Sequence, residues 1–274
     1  MLFMKIVFHE DFFKTYSFDP AASKGRLDHA AALLTNHYPV VTPYLASEKQ
    51  IKIIHTDSHV QEIQNSSQIY HMARLAAGSA IKAADLAYSG TAAFSLARPP
   101  GHHAGPSTYW GFCYFNNIAI AVKQLILEEK INSAVIVDFD LHLGDGTIDS
   151  FADTPEVHYY HLENGIDLIG LNNGNKDFRN HPVTQLREYL KKFYNIPEDT
   201  PDILAVSAGF DRHIHDWGGS LDTKEYQEIG EELGKFAKEQ CQGKIFSVLE
   251  GGYNPESLGE SALAFCQGIE KGVN

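Results

Sequence analysis

The feature that most constrains this chain is an alternation: short, β-branched apolar runs recur along it, separated by longer segments whose apolar residues follow a helical period. Parallel strands need crossover connections long enough to hold a helix, so a parallel sheet leaves this pattern in its sequence. Runs at 5–8, 93–96, 134–137, 157–160, 203–207 and 245–249 read as strands. Segments 68–89, 117–129, 184–194, 223–239 and 255–269 read as helices, the first closing at Gly90 as a C-terminal cap. The expected fold class is α/β. A length of 274 residues with 43% apolar content is enough for one domain, taken as residues 1–274. Only the Gly-, Asn- and Asp-rich stretch 163–180 breaks the rhythm, and it reads as a loop, either a functional rim or disorder.

Charge narrows the choice of partners. With 22 basic and 35 acidic residues the net charge is −13, which argues against general binding of nucleic acid or an anionic membrane and suits a cationic substrate. The three cysteines, Cys113, Cys241 and Cys266, are far apart and odd in number, which suggests neither a disulfide framework nor a paired-cysteine zinc site. The N-terminal apolar run is too brief for a signal peptide and no stretch approaches a membrane span, so the expectation is a cytoplasmic protein.

Chemistry concentrates where apolar runs end. In SAVIVDFDLHLGDGT, residues 133–147, a strand runs into Asp138, Asp140, His142 and Asp145. Alternate residues of an extended backbone project to one side, so Asp138, Asp140 and His142 can point together beyond the strand's carboxyl end, where open parallel sheets place their sites. Two carboxylates and one imidazole suit zinc or ferrous iron, and three protein ligands leave a position open for water. Asp140 and His142 supply two, and Asp211, ending the run in DILAVSAGFD, is a natural source of the third. Helix capping through Gly144 and Gly146 is the bland alternative for the first cluster. His213 and His215 read as solvated loop histidines and stay outside the metal site. Adjacent His102 and His103, on a Pro- and Gly-punctuated loop, can act as general base and acid if carboxylates such as Asp138 and Asp145 set their tautomers. In LEGGY, residues 249–253, the glycines can deliver the Tyr253 phenol to the site, where it would polarise a carbonyl.

In order along the chain, RPPGHHA at 98–104, GFCYFN at 111–116, DFDLH at 138–142 with GDGT at 144–147, SAGFD at 207–211 and LEGGY at 249–253 resemble the histone deacetylase superfamily, including its bacterial and archaeal deacetylases and acetylpolyamine amidohydrolases. A weaker echo lies at Arg26–Leu27 and TDSH, 56–59. The resemblance implies a three-layer α/β/α fold with a mainly parallel eight-stranded sheet. It assigns Asp140, His142 and Asp211 to zinc, His102 and His103 to a catalytic dyad oriented by Asp138 and Asp145, and Tyr253 to carbonyl polarisation. Gly111 and Phe112 would line the substrate channel, with Arg26 near its internal end. Substrates implied are acetyl-lysine, acetylated polyamines or small N-acyl amines.

Departures from the family pattern bear on what else carries over. Leu143 stands where a second histidine is usual. His161 stands where many members have a serine of a structural potassium site, which leaves K+ an open question for this chain. The usual Asp-Pro-Leu-Gly-Gly reads Asp216–Trp–Gly–Gly219, and Gly218 occupies the position expected for the glutamate of polyamine-selective relatives. Two other readings compete. A two-metal ureohydrolase of the arginase type needs bridging carboxylates, yet Gly144 and His213 stand two residues beyond His142 and Asp211. A non-catalytic acyl-ligand or metal-binding protein would have no need of the full set of ligands, dyad and tyrosine.

Overall fold

The structure is a computed structural model describing residues 4–162, 182–195 and 200–274. Its strands are β1 (Lys5–Val7), β2 (Val40–Val41), β3 (Ala93–Ser95), β4 (Ala134–Asp138), β5 (Val157–His161), β6 (Ile203–Ala208) and β7 (Ile245–Leu249). They form one sheet in the order β2-β1-β3-β7-β6-β4-β5, and every pair is parallel. The helices are α1 (Asp28–His37), α2 (Glu48–Ile51), α3 (Asp57–Gln64), α4 (Ser67–Tyr88), α5 (Asn117–Leu127), α6 (Asp145–Phe151), α7 (Pro182–Leu190), α8 (Thr223–Gln240) and α9 (Pro255–Val273).

The sheet is covered on both faces, which is why its strands are uniformly apolar rather than alternating. Val135 and Val137 of β4, with Leu204 and Val206 of β6, join a core that includes Ala30 and Leu34 of α1, Ile229 and Leu233 of α8, and Ala262 and Phe265 of α9. Their neighbours Ala134, Ile136, Ile203 and Ala205 face the other way, into a second core with Ala77 and Ala80 of α4 and Ile118 and Val122 of α5. This is the expected three-layer α/β/α fold, with seven strands among the described residues where the resemblance implied eight. Periodicity missed β2, whose two residues are too few for a period to register, and the short α1, α2, α3 and α6. The loop expected at 163–180 lies outside the described residues.

Strand order positions the site. The runs that end in chemistry belong to β3, β7, β6 and β4, which are contiguous in the sheet, so their carboxyl ends open onto one edge. Below that edge lies an aromatic cluster. Phe139 sits 5.7 Å from Phe210 and 5.1 Å from Phe265, and Phe210 sits 5.1 Å from Tyr226. Phe139 precedes Asp140 and Phe210 precedes Asp211; both phenylalanines are fully buried. Packing of these rings therefore fixes the backbone from which the two carboxylates project. Asn116 ties the other side together: it caps α5 through Ala119 N (3.0 Å) while its amide donates to Ala104 O (3.0 Å) and Thr147 Oγ1 (3.1 Å).

Candidate active site

Asp140, His142 and Asp211 each bring a ligand atom within 4.8 Å of the others. His142 Nδ1 lies 3.3 Å from both Asp140 Oδ1 and Asp211 Oδ2. Backbone amides fix the carboxylates, Leu141 N donating to Asp211 Oδ1 (3.0 Å) and Gly251 N to Asp140 Oδ2 (2.8 Å). Asp211 Oδ2 is buried and accepts no hydrogen bond, a costly state for a carboxylate oxygen unless a cation completes its shell. Burial and the charge of Asp140 push the Asp211 carboxyl above its usual range. Its hydrogen bond with Asp140 and the nearby Asp211 carboxylate raise His142 to about 9. A Cβ on Gly251 would sit 2.6 Å from both Asp140 Oδ2 and Asp211 Oδ2, so only glycine leaves this space beside the ligand atoms. The donor set, two hard oxygens and one nitrogen, fits a divalent cation such as Zn2+ or Fe2+.

The dyad histidines stand beside this cluster, their ring centroids 4.1 Å apart. His102 Nδ1 is 3.0 Å from Asp138 Oδ2, an oxygen that also accepts from the Tyr159 hydroxyl at 2.8 Å. His103 Nδ1 is 2.6 Å from Asp145 Oδ1. Each ring thus has Nδ1 engaged, leaving Nε2 as the nitrogen available for proton exchange. Burial alone would depress His102, but the carboxylates of Asp140 and Asp138 more than offset it and hold that imidazole well above its usual value. Burial, with the charge on His102, pushes His103 down to about 4 despite Asp145. Their surroundings thus push the two adjacent imidazoles in opposite directions, the pattern from which acid and base roles are assigned.

Around these groups is a cleft of about 320 Å³, lined among others by His102, His103, Asp140, His142, Gly251 and Tyr253. Gly252 adopts φ +116°, a region closed to most L side chains, and the turn is pinned where Asp216 Oδ2 accepts from Tyr253 N (2.7 Å) and Asn254 N (2.8 Å). The Tyr253 ring stacks on Trp217 (3.9 Å, 19°), with Phe112 at 6.0 Å and the Arg26 guanidinium at 5.1 Å. Arg26 donates to Gly252 O (2.7 Å) and Glu250 O (2.6 Å), so it holds the tyrosine turn from beneath and is itself buried. Phe112 follows Gly111 in the left-handed region, at φ 66° and 58° respectively, and both line the cleft. Burial pushes the Tyr253 phenol far above its usual value, so it keeps its proton.

A family model described as the histone deacetylase domain matches residues 21–269. The chain belongs to the histone deacetylase family. It is 32% identical over 269 residues to a probable deacetylase of Methanothermobacter thermautotrophicus, covering 84% of this chain and 78% of that one. It is 30% identical over 267 residues to polyamine deacetylase HDAC10 of Mus musculus, covering 81% of this chain and 40% of that one. The crystal structure of the HDA15 HD domain superposes with a TM-score of 0.79 at 24% identity, covering 99% and 90% of the two chains, and shows the shared fold. The chain spans 36 to 44% of the length of three plant and fission-yeast histone deacetylases that it matches.

Several residues of this histone deacetylase fold that shape the cleft escaped the sequence reading. Glu250, fully buried, accepts from Gly101 N (2.7 Å), His102 N (3.1 Å) and Ser207 Oγ (3.2 Å), tying the dyad loop to β7. With His102 and Cys113 it forms a second cluster of metal-capable side chains, but these bonds and the His102–Asp138 contact already engage it. A charged residue closing an otherwise apolar strand was the available signal. The Trp110 ring lies 3.8 Å from that of His103, tilted by 35°, and its Nε1 donates to Asp145 Oδ2 (2.8 Å). His213, expected to be solvated, is instead buried, with Nε2 3.3 Å from Thr223 Oγ1; His215 is exposed as expected. No helix among the described residues is long and apolar enough to cross a membrane.

Proposed function

We propose that the chain is a metal-dependent deacetylase, hydrolysing an N-acetyl amide to acetate and a primary amine. One observation carries the reading: a three-ligand cluster, two carboxylate-paired histidines and a proton-bearing phenol line one cleft. A divalent cation held by Asp140, His142 and Asp211, Zn2+ or Fe2+, would supply Lewis-acid polarisation of the amide and lower the pKa of water. His103, unprotonated at neutral pH, takes a proton from the attacking water through Nε2 while Asp145 holds its other nitrogen. The Tyr253 hydroxyl donates to the carbonyl oxygen as that oxygen gains negative charge. The C–N bond then breaks as the dyad delivers a proton to the leaving nitrogen, with Asp138 orienting His102.

Acetyl-lysine is the favoured substrate, with acetylated polyamines and small N-acyl metabolites as the alternative. A Cβ at Gly218 would fall 2.8 Å from Arg212 Cα and 3.1 Å from Asp211 O, so the backbone here leaves no room for the glutamate of polyamine-selective relatives. Phe112, Gly111 and Trp217 would flank the chain that carries the acetyl group, with Arg26 supporting the inner end. We read residues 1–274 as one catalytic domain. A cytoplasmic setting fits three buried, unpaired cysteines. The test is a side-by-side panel of acetyl-lysine peptide, N-acetylpolyamine and small N-acetyl amines, assayed with zinc- and ferrous-loaded protein. Unchanged acetylated substrate in every arm would refute the reading.

A further inference from the structure

Two buried side chains grip the backbone from which the ligands project. Arg212 directly follows Asp211 and is fully buried. Its Nε reaches Phe139 O (2.9 Å) and Asp140 O (3.1 Å), and its Nη2 reaches Asp140 O (2.7 Å). His161, at the end of β5 and also fully buried, places Nε2 3.0 Å from Asp140 O and 3.1 Å from His142 O. Both partners of that nitrogen are acceptors, so Nε2 carries the proton and donates to both. Three carbonyls of the segment 139–142 are therefore held by donors from β5 and from the segment after β6. These two segments flank β4 on either side in the sheet.

A buried guanidinium is tolerated only where acceptors satisfy it, and the carbonyl dipoles of Phe139 and Asp140 serve here. The family resemblance implies a potassium ion in this region, held by oxygens that include a serine where this chain has His161. The residues present do not fit one. A hard cation needs convergent oxygen lone pairs, and those of Asp140 O and His142 O are engaged by N–H donors, one group of which is permanently charged. We infer that Arg212 and His161 form a built-in clamp that replaces a monovalent cation and positions the backbone of Asp140 and His142 for metal binding. Both are positioning residues, acting on the carbonyls of the ligand segment.

The inference rests on the reading of Asp140, His142 and Asp211 as metal ligands, and the experiment separates the two. The zinc dissociation constant, by chelator competition, and the Tm of metal-free and zinc-loaded full chain are measured in KCl, NaCl and tetramethylammonium chloride at equal ionic strength. For the unaltered chain both quantities stay the same in all three salts. Arg212→Ala weakens zinc binding about 10- to 100-fold, the range expected when a support of a metal ligand is lost; Arg212→Lys, which keeps the charge with fewer donors, loses less. In the Arg212→Ala/His161→Ser double variant KCl, but not tetramethylammonium, raises the Tm. A saturable, potassium-selective rise in Tm or zinc affinity of the unaltered chain would overturn the clamp, as would unchanged zinc affinity in both Arg212 variants. The salt series needs no variant to fold, and in metal-free protein it reports on the clamp whether or not zinc binds. Failure of the unaltered chain to bind zinc in any salt would instead sink the ligand assignment.

Discussion

Replacing Tyr253 by phenylalanine removes one oxygen from the cleft and little else. The ring keeps its stack on Trp217 at 3.9 Å and its neighbours Phe112 and Arg26, and the backbone keeps the 2.7 Å bond from Tyr253 N to Asp216. The hydroxyl makes no hydrogen bond among the described residues, so no internal partner is stranded by its removal. The expected stability change is within about 0.5 kcal/mol, or roughly 1–2 °C in Tm for a chain of this size. The chemical cost is far larger, because loss of one oxyanion donor raises the barrier by about 2.7–4 kcal/mol, a fall of about 10²- to 10³-fold in kcat. The donor acts on charge that develops only in the transition state, so KM should change little. The assay is steady-state release of acetate from an acetyl-lysine peptide, on protein of equal metal content, with Tm measured alongside. A variant within about fivefold of the parent kcat, at unchanged Tm and metal content, would refute the role given to Tyr253.

Other perturbations separate the remaining parts. His103→Ala should lower kcat by about 10²- to 10⁴-fold and Asp145→Asn by less, read from rates on zinc-loaded protein; equal activity of His103→Ala would remove the base assignment. In metal-free protein the His142 pKa, raised to about 9 from an ordinary 6.5, makes a stabilising contribution that is complete below the ordinary value and is lost as pH rises through about 9. The bound cation takes the place of that proton, so the gain in Tm on adding zinc should grow from about pH 6 to about pH 9, by differential scanning fluorimetry; a gain that shrinks would contradict it. Trp217→Ala, which opens the cleft mouth, should raise KM for an acetyl-lysine peptide about tenfold with a smaller fall in kcat; unchanged KM would remove Trp217 from the substrate channel. Phe139→Ala should destabilise by about 3–5 kcal/mol in urea denaturation, because the cavity would open directly beneath Asp140.

Sequence made some of this site legible because of how parallel sheets are built. Asp140, His142, Asp211 and Tyr253 each stand just past an apolar run, and strand ends are where such sheets expose polar groups. What could not be read was which ends adjoin. The order β3-β7-β6-β4 brings together segments from residue 98 to residue 253, and it depends on packing on both faces rather than on any local pattern. Supporting residues were hidden for a related reason. Glu250, Arg212 and Tyr159 act through contacts distant in sequence, such as Glu250 Oε2 to Gly101 N across 149 positions. His213 was misjudged because a polar loop sequence does not reveal that its imidazole folds back toward Thr223 and becomes buried.

The same packing bears on how many cations the cleft takes. A bridged two-metal centre of the arginase type would need further carboxylates two residues beyond His142 and Asp211, at the positions of Gly144 and His213. A Cβ at Gly144 would meet Asp138 Oδ2 at 2.5 Å and the Tyr159 hydroxyl at 2.8 Å. Gly144 N itself donates to that hydroxyl at 2.9 Å, and the hydroxyl in turn donates to Asp138. An aspartate at this position would therefore displace the very carboxylate that orients His102, so the dyad and a second metal compete for one space. His213 is directed to Thr223 and stacks 6.3 Å from Tyr226, away from the ligand cluster. The geometry around His102 thus favours one cation per chain, and metal analysis of protein loaded with excess zinc or manganese should find one tightly held equivalent; two would favour the two-metal hydrolase instead.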